Sequence, residues 1–159
     1  MSNLNVEELK QRVETMRDCY FKGFGNAILG IQGKCEHYSN KPLIPEDRAK
    51  FILEDLEMIE EHYRKIPFSK LNSNSDFAPL FVIKDLLGRF GEDVREFLKY
   101  PAKGERVNRI KNIGTAICWS GVVYKDNILR RVEELRTLPG NEDFRVRITD
   151  YRGIEFMLA

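Results

Sequence analysis

The chain is poor in the residues on which most catalytic and metal sites are built. Only two histidines, His37 and His62, occur in 159 residues, so any His-dependent chemistry must use one of them. The three cysteines, Cys19, Cys35 and Cys118, are an odd number without paired spacing. The polar, acidic start MSNLNVEELK does not read as an export signal. The thiols are therefore expected to be reduced, and the expected location is the cytoplasm. No apolar run approaches the ~20 residues of a membrane-spanning helix, so no membrane partner is expected. The net charge of +1 offers no global field for nucleic acid or an anionic surface. Repeats and low-complexity tracts are missing as well.

What is present is ordinary globular material, 42% apolar and 32% charged. The length predicts a single domain over residues 1–159, burying roughly 70% of its unfolded surface. From Val6 through Leu9, Val13, Met16, Tyr20, Phe24, Ala27, Ile31 and Cys35 to Tyr38, apolar residues step by three or four, the period of a core-facing helical stripe. Asn5 and Glu8 resemble a capping box at its start. A second helix is expected from Pro45, taken as a first-turn residue, with Ile52, Leu56, Ile59 and Tyr63 inward. A third follows Pro79, with Gly88 and Gly91 as points of bending or division. Val107, Ile110, Ile117, Ile128, Val132 and Leu135 favour another helix, although ICWSGVVYKDN within it also reads as strand and turn. After Pro139–Gly140 the period changes to two. A three-residue loop ending in left-handed Gly153 pairs Ile148 with Phe156 and Val146 with Leu158. The expected fold is mainly α (α+β): three to four long helices over 5–138 and a C-terminal β-hairpin over 144–158.

Gly23, Gly25 and Gly30 spell GxGxxxxG, but no strand precedes them, Gly33–Lys34 is followed by Cys35, and the stripe keeps its phase through the glycines. A glycine-notched helix is the better reading, with Gly23 and Gly30 beside the stripe as a groove for another helix. Cys35 and His37 are two apart and so point about 200° apart on a helix, which argues against a zinc clip. Glu54, Glu57 and Glu61 share the face opposite the apolar stripe, the solvated side. Neither a catalytic residue, a metal nor a cofactor is expected.

Two surfaces remain. Gly25 and Gly33 lie away from the stripe, and Phe51 and Met58 lie about 120° from the main stripe of the second helix. These four are the expected interface with a protein partner or a second copy. The second surface is basic: Lys99, Lys103, Arg106, Arg109, Lys111, Arg130 and Arg131 fall in a C-terminal half of net charge +4, with Tyr100, Trp119 and Tyr124 nearby. It makes nucleic-acid binding the alternative. A small non-enzymatic protein acting through protein–protein contacts, as an adaptor, inhibitor or complex subunit, is the leading expectation. A magnesium-dependent helical nucleotide hydrolase using the glutamates is a lesser one.

Overall fold

The computed structural model describes residues 5–73, 75–101, 104–150 and 152–158. These form five α-helices: α1 (Val6–Asp18), α2 (Phe24–Tyr38), α3 (Glu46–Arg64), α4 (Ala78–Lys99) and α5 (Gly104–Arg136). A hairpin of β1 (Arg147–Thr149) and β2 (Glu155–Met157) follows. The fold is thus mainly α with a small β part, with five helices where three or four were expected.

The extra helix comes from dividing residues 5–38. The Asn5 side chain accepts the Glu8 amide at 2.9 Å and caps α1, whose Leu9, Val13 and Met16 are buried. The helix stops at Asp18, and the chain turns before Gly23, whose φ of 88° is a left-handed conformation that costs glycine little. The turn drives Cys19 and Phe21, both off the periodic stripe, into the core. In α2, Phe24, Ile28, Ile31 and Cys35 are then buried. The bend therefore replaces a projecting helix of about 50 Å, and it falls at Gly23 rather than at Gly25 or Gly33. Gly30 is not a groove for another helix, since nothing lies within 4 Å of where its Cβ would be.

α3 buries the expected Ile52, Leu56, Ile59 and Tyr63, with Pro45 as its N-cap rather than in its first turn. α4 runs unbroken through Gly88 and Gly91. Gly91 is buried where the Glu60 carboxylate accepts two bonds from Arg95, at 2.6 and 2.9 Å. α5 is continuous over 33 residues, about 50 Å. It settles 114–125 as helix: Ile117, Tyr124 and Ile128 are buried at helical spacing. α5 packs against α1, α2 and α4.

Polar anchors fix the rotation of α5. Asp76, buried just before α4, accepts two bonds from Arg131 at 2.6 and 3.2 Å and one from Arg12 at 3.4 Å. Its own carbonyl accepts from Asn127 Nδ2 at 3.1 Å. One turn earlier on α5, the Tyr124 hydroxyl donates to the Met16 carbonyl at 2.5 Å. These bonds join α1, α5 and the start of α4.

The hairpin register is the expected one. Ile148 opposes Phe156, Asp150 N–H donates to Ile154 at 2.9 Å, and Gly153 has φ 82°. The expected apolar face closes except at Phe156, since Leu158 bonds to the Val146 carbonyl at 2.8 Å and is partly buried against the core. Val146 and Ile148 are buried, whereas Phe156 stays exposed under the Lys22 ammonium, 4.4 Å from its ring centroid.

His62 packs against the Phe21 ring, and its Nε2 lies 3.2 Å from the Cys19 carbonyl, to which a neutral imidazole donates. Burial, aided by Lys65 and opposed by the Cys19 bond, lowers its pKa below the ordinary 6.5. The unfolded chain therefore takes up this proton first, and stability falls as pH drops below about 6.5. In denaturant titrations at pH 8 and pH 5.5, the midpoint should fall for the wild type and fall less for His62→Gln. Asp76→Ala takes the carboxylate from Arg12 and leaves Arg131 with Glu134 alone, and should cost about 2 kcal/mol in the same assay.

Candidate interaction face

α2 and α5 pack side by side through two glycines of α5. A Cβ on Gly121 would collide with the Phe24 ring, and one on Gly114 with the Gln32 side chain. Cys118 Sγ lies 3.8 Å from the Gly25 carbonyl, and Lys111 Nζ lies 3.6 Å from Glu36. Residue numbers fall along α5 as they rise along α2, so the two helices are antiparallel. The close approach brings Leu29 to the edge of α2 nearest α5, between the levels of Gly114 and Cys118.

The inward side of α5 is set by Ile117, Tyr124 and Ile128. The side away from them carries Glu105, Asn108, Asn112, Thr115, Trp119, Val122, Val123, Asp126 and Arg130, all exposed. Its ends are polar and its middle is apolar. Trp119, the only tryptophan, is 67% exposed, Val122 50% and Val123 47%, and Leu29 beside them is 54% exposed. Next to Val122, a cavity of about 290 Å³ opens at the α1–α2 turn, lined by Phe24, Gly25, Cys118, Gly121, Val122 and Lys125 among others.

The structure separates the four interface residues expected from sequence. Gly25 lines the cavity, and Gly33 is exposed on α2 with open space around it. Phe51 and Met58 lie on the side of α3 that also carries Asp55 and His62, which meet Lys34 and the Cys19 carbonyl of the α1–α2 segment. Met58 is half-buried against the core, and Phe51 is 52% exposed. Leu29, Val122 and Val123 escaped the sequence reading. The signal was available: read as helix, 119, 122 and 123 share the side opposite Ile117 and Tyr124.

No protein-family model matches the chain, and no curated protein or solved structure matches it either.

The basic residues are largely neutralised within the molecule. Lys99 pairs with Glu96, Arg106 and Arg109 with Asp93, Lys111 with Glu36, and Arg131 with Asp76 and Glu134. Arg130 donates to the Asn127 side chain at 2.5 Å, and Lys103 lies outside the described residues. This arrangement lends no support to a phosphate-binding surface. Among the described residues no group of three or more His, Cys, Asp or Glu side chains is placed to hold a metal ion. Glu54, Glu57 and Glu61 are exposed on α3, and Glu61 pairs with Arg64 and Lys65. His37 is exposed and Cys35 fully buried, apart as the helical phase requires. Burial pushes the thiol of Cys35 up to about 12 and, with Asp18 adding to it, that of Cys19 to about 11. Cys118 is raised by burial too, so all three are protonated, weak nucleophiles at neutral pH. Among the described residues no helix is long and apolar enough to cross a membrane.

The glycines of this region should respond oppositely to alanine. Gly121→Ala forces the buried Phe24 ring aside and should lower stability by about 1–3 kcal/mol. Gly33→Ala fills open space on a helix and should raise it by about 0.5–1 kcal/mol. Urea unfolding of the two variants checks both signs.

Proposed function

We propose that the chain is a small non-enzymatic protein that acts by protein–protein contact, through the outer face of α5 centred on Trp119 and continued by Leu29 of α2. One observation supports this reading. The sole tryptophan and two valines stand about half or more exposed at the middle of an otherwise polar helix face, where folding of the chain itself gains little from them. A tryptophan supplies large contact area at small entropic cost and is enriched where binding energy concentrates. Apolar residues centred within a polar rim have the layout of a docking patch. The thiols, histidines and carboxylates are engaged or dispersed in ways that give no comparable support to catalysis.

The test is binding by the purified protein to proteins of its own cell, compared with Trp119→Glu and Val122→Lys. Both side chains lie outside the core, so far-UV circular dichroism should stay unchanged while capture falls at least about 10-fold, the scale of a lost interface anchor. Equal capture by the wild type and both variants overturns the reading. Retention on nucleic acid that falls with salt and is unaffected by these variants would favour the basic surface instead.

A further inference from the structure

We infer that this face docks on the same face of a second copy, the two α5 helices lying antiparallel about a two-fold axis near Ile117–Cys118. The inference rests on the contact reading above and names its partner.

Charges flank the apolar centre on both sides. On the N-terminal side of the centre stand Glu105 and then Arg109, and on the C-terminal side Asp126 and then Arg130. Along this face and its α4 edge the order is acid, base, patch, acid, base, with Lys111 and Lys125 on the side towards α2. Reversed, it becomes base, acid, patch, base, acid, so an antiparallel copy sets Glu105 against Arg130 twice and brings Asp126 to the level of Arg109 at the α4 edge. Glu105 and Arg130 lie equally far from the point between Ile117 and Cys118, about 19 Å on either side. Arg109 and Asp126 are also equidistant from it, about 13 Å on either side. One axis therefore matches Glu105 with Arg130 of the second copy and Arg109 with Asp126 of the second copy, each twice. A parallel pairing in register would instead set like charges together.

Glu105, Asp126 and Arg130 are free of ion pairs among the described residues, whereas Arg109 at the α4 edge would exchange Asp93 for Asp126 of the second copy. Glu105–Arg109 and Asp126–Arg130 have the spacing of ion pairs within a helix, yet neither closes. Among the described residues Glu105 and Asp126 have no ion-pair partner, Arg130 bonds only an amide, and Arg109 reaches Asp93 at 3.5 Å while 50% exposed. The same axis passes beside Leu29, so the two leucines meet across it, and each Trp119 covers Ala116 of the second copy.

The size of the contact sets its strength. The outer ridge of α5 from 105 to 130 is about 39 Å long, α2 adds about 22 Å, and each is about 10 Å wide. That gives about 600 Å² per copy, at the lower limit for a specific interface. The dimer should therefore dissociate in the micromolar range, as a closed, isologous pair.

Sedimentation velocity from roughly 1 µM to roughly 300 µM should show a monomer–dimer equilibrium, with Trp119 emission shifting to the blue as the dimer forms. Glu105→Arg and Arg130→Glu should each raise the dissociation constant at least about 10-fold, because each sets like charges together twice. Mixing the two variants should restore a dimer, since both pairs are then opposite in sign. A wild type that stays monomeric throughout overturns the inference. So does a dimer indifferent to both substitutions, or variants that fail to recover on mixing. A monomeric wild type that still captures another protein through Trp119 overturns the self-pairing alone and leaves the contact function standing.

Discussion

Asp76 is a buried carboxylate ringed by two guanidinium groups, and the orientation of the longest helix depends on it. A carboxylate is costly to bury unless its oxygens are fully engaged. Here Arg131 and Arg12 approach the carboxylate, and Asn127 binds the backbone carbonyl of the same residue. The bonds are directional, so Arg131 and Asn127 allow only one rotation of α5 about its axis. Tyr124, bonded to the Met16 carbonyl, repeats the constraint one turn away. Apolar burial alone would tolerate some rolling of so long a helix. The polar anchors remove it, and they thereby decide that Trp119, Val122 and Val123 point outward.

The break between α1 and α2 follows from packing along that helix. α1 meets α5 near Tyr124 and Arg131, while α2 meets it near Gly121, Gly114 and Lys111. The two short helices thus lie in series along α5 as one composite neighbour, together about 42 Å against its 50 Å. Phe24, the first residue of α2, sits where Gly121 leaves room. Gly23 supplies the left-handed residue that turns the chain there. His62 and Phe21 then seal the turn, which ties its stability to a neutral imidazole.

Much of this was legible in the sequence, and the failures have physical causes. Where one face is buried and the other solvated, the pattern read true: Ile52, Leu56, Ile59 and Tyr63 are inward, and the hairpin pairs Ile148 with Phe156. The stripe from Val6 to Tyr38 misled because a five-residue turn happens to carry the helical phase across the break, so periodicity gave no warning of Gly23. The stretch 114–125 was ambiguous because its helix has apolar residues on two sides, inward at Ile117 and Tyr124 and outward at Trp119, Val122 and Val123. Such a pattern has neither the single stripe of a surface helix nor the alternation of a strand. The ambiguity was itself the mark of the candidate face. The pairing of Arg106 and Arg109 with Asp93, or of Lys111 with Glu36, depends on helices meeting in space, so charge counting along the chain overstated the basic surface.

The topology explains why the outer face of α5 is left open. α1 and α2 cover one side of α5 and α4 covers another. α3 packs against α2 and α4, on the far side of both from that face. The remaining chain forms a short hairpin, whose buried Val146 and Ile148 lie towards the α1 end, where Arg136 of α5 donates to the Phe144 carbonyl. Among the described residues no helix is left to shield the third side of α5. A face exposed by topology is stable with polar residues, and at its ends α5 has them: Glu105, Asn108 and Asn112 before, Asp126 and Arg130 after. Helix propensity cannot account for the centre, because tryptophan and valine are among the weaker helix formers and gain little there without burial. Apolar side chains placed where the fold supplies no cover, between Glu105 and Asp126, which form no ion pair among the described residues, fit a surface whose cover is another molecule.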